Sequence, residues 1–89
     1  MIEKRLTIIN KLGLHARAAA KLVTTASQFQ ANIRISRDSR EIDGKSIMSV
    51  MMLAASKGTE LQLSAEGEDE QAALEALENL INNRFDEPE

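Results

Sequence analysis

The chain has 89 residues, 43% of them hydrophobic, and a formal net charge of −3 at pH 7, which supports one small domain with a modest core. It has no cysteine, which excludes disulfides and thiolate chemistry, and only two aromatic residues, which leaves no stacking platform for single-stranded nucleic acid. With no long apolar run and no charged-then-apolar leader, the composition favours a cytoplasmic protein without membrane insertion.

The first half of the chain predicts a strand, a helix and a hairpin. Apolar and polar residues alternate over residues 3–9, which is typical of a half-buried strand. A loop over residues 10–14 leads into an Ala/Leu/Lys-rich segment that predicts a helix over residues 16–27. Alternation returns over residues 32–37 and 40–43, and the two residues between them predict a tight turn.

The second half predicts two more helices around a fourth strand. Ser46 is a good N-cap for a short helix over residues 47–55 that is apolar almost all round. Residues 60–65 alternate as a strand, and a final helix follows with acidic residues in its first turn. We expect a single domain over residues 1–85 and a frayed acidic tail over residues 86–89.

The element order β-α-β-β-α-β-α restricts the fold. Strands joined across a helix run parallel, whereas the two strands of the hairpin run antiparallel. One sheet that satisfies all of these joins is a split βαβ arrangement with every helix on one face. We therefore expect an α+β fold, an open-faced sandwich.

His15 is the only histidine, and it lies where the first loop becomes a helix. Unpaired backbone N–H groups and the positive end of the helix dipole face outward there, and Arg17 adds a cationic fork. An anion attached to the imidazole would therefore find donors in place, although a histidine at a helix start is also commonly a cap or a solvated side chain. We expect no metal, because one histidine without cysteine cannot supply three or four ligands.

The residues around His15 favour covalent phosphate chemistry without a cofactor. The chain has no GxxxxGK loop to hold a nucleotide, and no spacing supports a Ser-His-acid triad. An imidazole nitrogen can attack a phosphoryl donor and form an N–P bond labile enough to pass the group on. This predicts a carrier that needs a separate enzyme at each end, and makes an independent hydrolase the weakest hypothesis.

Charge is divided unevenly along the chain. Residues 1–45 carry nine Lys/Arg and four Asp/Glu, whereas residues 46–89 carry two Lys/Arg and ten Asp/Glu. The half that contains the histidine is therefore basic and would steer an acidic partner surface toward it, although such charge is more often plain solvated surface.

Three segments together resemble one family. Residues 13–17, Gly-Leu-His-Ala-Arg, with the Ala-rich helix after them look like the active-site segment of the HPr phosphocarriers of the bacterial phosphoenolpyruvate-dependent sugar phosphotransferase system. Residues 44–51 resemble the family's second signature, and residues 65–70 resemble its last strand-to-helix turn. The resemblance covers almost the whole chain. It implies a four-stranded antiparallel sheet covered on one face by three helices.

The resemblance also implies residue roles. His15 would accept a phosphoryl group on Nδ1 from phosphorylated enzyme I and donate it to a histidine of a sugar-specific enzyme IIA domain, while Arg17 would steady the phosphate. The family's position after that arginine is usually proline and is Ala18 here, which should affect transfer rates and not the reaction class. The first helical turn would bind the phosphate oxygens through Ala16, Arg17 and Ala18.

An apolar docking patch is expected on the second helix. The resemblance implies that partners dock on Ala20, Ile47, Met48 and Met51. A helix that is apolar on nearly every side has more hydrophobic surface than one core face uses, which agrees with this role. The alternative is that the methionines of this helix, Met48, Met51 and Met52, fill gaps in the core.

Ser46 has two interpretations. As an N-cap it accepts a hydrogen bond from the next turn. The resemblance adds that a bifunctional HPr kinase/phosphorylase phosphorylates this serine in many family members. A phosphate there would place charge beside the apolar patch and weaken docking of enzyme I.

Other functions stay open at this point. The carrier of the nitrogen-related regulatory phosphorelay looks similar, and a purely regulatory carrier is also compatible with the residues. From a different class, the chain could be a small non-catalytic binding module, although its acidic total charge and missing aromatics argue against nucleic acid. We expect a monomer.

Overall fold

The computed structural model describes all 89 residues as one sheet, three helices and a terminal turn. The elements are β1 (Ile2–Thr7), α1 (Ala16–Ser27), β2 (Asn32–Arg37), β3 (Arg40–Asp43), α2 (Ile47–Met52), β4 (Glu60–Glu66), α3 (Glu70–Asn82) and a 3-10 turn (Arg84–Asp86). The expected order is confirmed, and the 3-10 turn is an addition to it. None of the helices is both long and apolar enough to cross a membrane.

The sheet has the strand order β1-β4-β2-β3, and every neighbouring pair is antiparallel. Because β4 lies between β1 and β2 and runs opposite to both, those two strands are parallel without touching. α1 can therefore join the two parallel strands β1 and β2 in a sheet whose neighbouring strands are all antiparallel. The split βαβ arrangement is confirmed.

The core lies between one face of the sheet and the helices. Alternate residues of β2 and β4 are buried there together with Leu6 of β1, while their neighbours on the other face are exposed or half-buried. The apolar stripes of α1 and α3 cover that face. The largest fully buried side chains of the strands and of these two helices are Leu22, Ile33, Ile35, Leu61, Leu63, Leu77 and Ile81. The open-faced sandwich is thus confirmed.

The second helix ends earlier than its apolar sequence predicts. It was expected to continue to residue 55, but α2 ends at Met52, and Ala54 takes a left-handed conformation with φ 52°. Two arginines of the β2–β3 hairpin bind the carbonyls at this end: Arg37 donates to Ala54 O at 2.9 Å and Arg40 to Met52 O at 2.8 Å. The prediction was wrong because these guanidinium groups satisfy carbonyls that would otherwise need further turns of helix or water.

The acidic tail was expected from the sequence to fray, but in the structure it contacts the rest of the domain. Phe85 is fully buried, and the three residues of the 3-10 turn all have positive φ, between 54° and 64°. This left-handed turn reverses the chain after α3 and lays the tail across the loop before α1, where Lys11 N donates to Glu89 O at 2.8 Å. Burial of the aromatic ring offsets the cost of the unusual backbone.

Candidate functional site

The loop before α1 is held by contacts that only glycine permits. Gly13 has φ 69°, and a Cβ there would lie 2.6 Å from Ala55 O. The next residue, Leu14, is buried and donates its N–H to the same carbonyl at 2.8 Å. The loop is therefore fixed against the segment that follows α2, which places His15 at a defined point on the surface.

His15 is the N-cap residue of α1 without capping it through its side chain. Its backbone is extended, with φ −73° and ψ 176°, and its carbonyl accepts from Ala19 N at 2.8 Å. The N–H groups of Ala16, Arg17 and Ala18 have no acceptor among the backbone hydrogen bonds. The imidazole is 29% exposed, so the start of α1 presents a half-exposed histidine beside unpaired N–H donors.

Two cations on α1 have different roles in the structure. Arg17 is exposed and takes part in no ion pair. Lys21 is engaged with the tail: its Nζ donates to Phe85 O at 2.8 Å and lies 3.7 Å from an Asp86 carboxylate oxygen. Arg17, and not Lys21, is thus available to an anion at the site, and both line one shallow depression beside Ala20.

The tail brings a carboxylate to the histidine. Oε2 of Glu87 contacts Nε2 of His15, and Oε1 of the same carboxylate accepts from Asn10 Nδ2 at 3.0 Å. Burial acts to raise the pKa of Glu87, but the hydrogen bonds from His15 and Asn10, together with the positive charge of Lys21, outweigh it and lower the pKa. An ionised carboxylate only accepts hydrogen bonds, so Nε2 must be the donor in this contact. Nδ1 makes no side-chain cap bond to the helix.

Asn10 joins the loop to the tail. Its side chain is fully buried, and Nδ2 donates to Gly13 O at 2.8 Å as well as to Glu87. Neither Asn10 nor Glu87 was predicted from the sequence as a site residue. An asparagine in a loop that also contains a glycine indicates only a turn, and no local pattern connects Asn10 or Glu87 to partners more than 70 positions away along the chain.

The apolar surface of α2 faces outward. Met48 and Met52 are 68% and 65% exposed, and Ile47 and Met51 are about two-fifths exposed. Val50 is the one buried residue of this helix. The interpretation of the methionines as core filling is therefore wrong. The four exposed side chains, Ile47, Met48, Met51 and Met52, form what we call the α2 patch, on a helix that packs against α1.

Ser46 caps α2 as the sequence predicts. Its backbone is extended, and its Oγ accepts from Ser49 N at 3.4 Å. The side chain is half-buried at the edge of the α2 patch. Elsewhere in the molecule, no group of three or more His, Cys, Asp or Glu side chains lies together in a way that could hold a metal ion.

Comparison with known proteins gives one consistent result. The family model described as the PTS HPr component phosphorylation site matches residues 2–83. The phosphocarrier protein HPr of Pseudomonas aeruginosa is 62% identical over 94% of both chains. HPr-C-His of Thermoanaerobacter tengcongensis superimposes with a TM-score of 0.97 at 46% identity, covering all of both chains. A structure described as an HPr dimer from the same organism gives a TM-score of 0.79 at 47% identity, covering 98% of this chain and all of that one.

The matches to the family model and to the Pseudomonas protein extend over nearly the whole chain. The solved structures agree with them in fold. The relatives are named as carriers and not as enzymes that release a product. The chain therefore belongs to the HPr family, the phosphocarrier proteins of the phosphotransferase system.

Proposed function

We propose that this phosphocarrier holds the phosphoryl group on Nδ1 of His15, accepting it from phosphorylated enzyme I and donating it to an enzyme IIA domain. One observation carries the choice of nitrogen. Nε2 is bonded to the Glu87 carboxylate, so Nδ1 is the ring nitrogen left to act as a nucleophile. The half-exposed position of His15 allows a partner to approach in line with it.

The transfer step needs only groups present at the start of α1 and on the partner. The Nδ1 lone pair attacks phosphorus, the P–N bond of the donor histidine breaks, and its electron pair returns to the donor nitrogen. The unpaired N–H groups of Ala16, Arg17 and Ala18, with the Arg17 guanidinium, would bind the phosphoryl oxygens. Since the group is only handed on, no nucleotide loop or metal ligand set is required of this chain.

Docking of both partners is proposed on the α2 patch together with Ala20. The patch offers four exposed apolar side chains on a helix that packs beside α1, and a cluster of this kind is typical of a protein contact. Ala20 is small and half-buried on α1, so a partner could come close there. We propose that the working unit is a cytoplasmic monomer, because both His15 and the patch must be open to partners.

Regulation at Ser46 is proposed on the position of its hydroxyl. The side chain lies at the start of α2, where a dianion is tolerated by the helix end but adjoins the α2 patch. Such a modification would weaken docking of enzyme I without unfolding the domain. The modifying enzyme would be an HPr kinase/phosphorylase, where the host has one.

A pair of variants tests this regulation. Ser46→Asp keeps a capping oxygen and adds charge, and we expect slower phosphorylation of His15 with the unfolding midpoint nearly unchanged. Ser46→Asn is the matched control, because it caps without charge and should transfer normally. Equal transfer rates for the two variants, measured with purified enzyme I, would contradict the regulatory role.

The carrier role itself is tested by direct phosphorylation. The purified chain and its His15→Ala variant are incubated with phosphoenolpyruvate, Mg²⁺ and enzyme I, and intact mass is measured. We expect an acid-labile, base-stable adduct on the unmutated chain alone. If that enzyme I gives none, the enzyme I of the nitrogen-related relay is the second donor to use. An adduct with the second donor alone would move the chain to that relay. Absence of an adduct with both would overturn the assignment of His15.

A further inference from the structure

We propose that Glu87 is a positioning residue for phosphoryl transfer: its carboxylate holds the proton on Nε2 of His15 and so directs the lone pair of Nδ1 toward the incoming phosphorus. The inference rests on the proposed function of His15 as acceptor. It adds to that function a residue from the tail, a segment that was expected from the sequence to be frayed.

The carboxylate is held on both oxygens. Oε2 contacts Nε2 of His15, while Oε1 accepts from Asn10 Nδ2 at 3.0 Å. Asn10 is fully buried, and the same Nδ2 donates to Gly13 O at 2.8 Å, so the asparagine cannot turn away without breaking the loop. A histidine oriented by a carboxylate, which is itself oriented by another group, is a recurrent way to fix the tautomer of a reactive imidazole.

The backbone of the tail places Glu87 at this point. Before it, Phe85 is fully buried and its carbonyl accepts from Lys21 Nζ at 2.8 Å. After it, the carbonyl of Glu89 accepts from Lys11 N at 2.8 Å. With anchors on both sides, the Glu87 side chain is 15% exposed and contacts the histidine from within the fold. A freely moving tail would bury neither of these side chains.

The chemistry balances with no proton transfer. Before reaction, Nε2 carries a proton held by Glu87 and Nδ1 carries a lone pair. As the N–P bond forms on Nδ1 and the donor P–N bond breaks, the ring becomes an imidazolium whose positive charge is opposed by the carboxylate. When the group passes on, the N–P bond breaks and its electron pair returns to Nδ1. The Nε2 proton stays in place throughout, so the ring is ready for the next cycle.

Two variants of Glu87 separate positioning from a merely structural role. Glu87→Ala removes the acceptor, and we expect about a tenfold lower maximal transfer rate from phosphorylated enzyme I. The enzyme I concentration at half-maximal rate should stay the same, because Glu87 does not belong to the α2 patch on which docking is proposed. Of the two ring nitrogens of His15, its carboxylate contacts Nε2, which is not proposed to react. Glu87→Gln still accepts a hydrogen bond without charge, and it should recover part of the rate.

Nitrogen-15 NMR of the unphosphorylated chain gives a readout that does not depend on transfer. We expect a slowly exchanging Nε2–H signal in the unmutated chain, its retention in Glu87→Gln and its loss in Glu87→Ala. Glu89→Gln is the matched control, since Glu89 lies on the same tail and pairs with Lys11 at 3.4 Å without reaching His15. It should change neither the rate nor the signal.

The outcomes are distinct. An unchanged rate in Glu87→Ala, or an unchanged Nε2–H signal, would overturn the proposal. A faster rate would also overturn it and would make the contact an inhibitory one. If the unmutated chain accepts no phosphoryl group from either donor, the proposed function fails on its own evidence. The NMR series then still decides whether Glu87 fixes the imidazole.

Discussion

Two carboxylates of the acidic half of the chain are held in different ways, and the difference separates a structural contact from a contact at the proposed phosphorylation site. Asp69 accepts from the backbone N–H groups of Gln30 and Ala31, each at 2.8 Å. Glu87 accepts from the side chains of His15 and Asn10 instead. Backbone donors keep their protons at every pH, whereas an imidazole gains and loses protons and here is proposed to gain a phosphoryl group.

The pKa values of the two groups follow from these donors. The hydrogen bond from Gln30 N holds the pKa of Asp69 below its usual value against the opposing effect of burial, with Ala31 N adding to it. The pKa of Glu87 is also lowered, but there burial is the largest single influence and acts upward, and the donors must outweigh it. The hydrogen bonds of Asp69 therefore depend only on the ionisation of Asp69 itself, whereas the contact of Glu87 also depends on the state of His15.

The largest expected effect comes from removing the ring that anchors the tail. Phe85→Ala deletes a fully buried aromatic side chain, and we expect the free energy of unfolding to fall by about 3–5 kcal/mol in urea titrations. The half-buried Phe29, replaced by alanine, should cost less. Amide exchange should show lost protection at Lys11 N and retained protection at Ala31 N. A fall below about 1 kcal/mol would contradict the packing of this ring.

Asp69→Asn tests the contact between Asp69 and the backbone of Gln30 and Ala31. The asparagine side chain can accept from only one of the two backbone N–H groups, and its NH₂ group would face the second N–H. The unfolding midpoint should therefore fall, but by less than in Phe85→Ala. Because the folded pKa of Asp69 is lowered, its contribution is present above the unfolded value of about 3.9 and is lost as pH falls through the folded value. In Asp69→Asn, the free energy of unfolding should lack the part of its acid dependence that comes from the ionisation of Asp69. Glu68→Gln, an exposed neighbour, is the control. If Asp69→Asn showed the same acid dependence as the unmutated chain, the contribution of this contact would be refuted.

The conditional contact is tested by removing the histidine. In His15→Ala, Glu87 loses the hydrogen bond from Nε2 while its burial remains, so its pKa should rise. The pKa of Asp69 should stay where it is, because its donors are untouched. Carbon-13 NMR titration of the side-chain carboxyl groups measures both in one experiment. An equal pKa change at the two residues would show that Asp69 and Glu87 do not differ in their dependence on His15.

The smallest effect is expected at the end of the tail. Glu89 and Lys11 form an ion pair of 3.4 Å in which both side chains are more than two-thirds exposed. Such pairs contribute about 0–1 kcal/mol, so Glu89→Gln should leave the urea midpoint almost unchanged and lose its small effect in high salt. A loss as large as that of Phe85→Ala would mean that the carboxylate, and not the aromatic ring, anchors the tail.

The fold brings acidic residues of the second half of the chain next to basic residues of the first half. The half that contains His15 is basic and was expected to face partners as such. In the structure, Asp86, Glu87 and Glu89 of the acidic half lie beside that site and engage Lys21, His15 and Lys11 in turn. Arg17 remains without an ion-pair partner. The charges around the histidine are thus more balanced than the count along the sequence indicates, and the Arg17 guanidinium is the one that stays exposed and unpaired.

The sequence by itself determined the secondary structure and the positions of residues within it. Alternation at period two and apolar spacing near 3.6 act between neighbouring residues, so the strands, the helices, the cap at Ser46 and the place of His15 at a helix start were all readable. The split topology followed from the joins between these elements. Such features need no knowledge of distant contacts.

Only the tertiary structure decided where distant segments meet. Arg37 and Arg40 end α2, the methionines of that helix stay outside the core, and Phe85 draws the tail onto the loop where Asn10 and Glu87 reach His15. These contacts join side chains from different elements. No periodic pattern encodes them, because each depends on the packed positions of several elements at once.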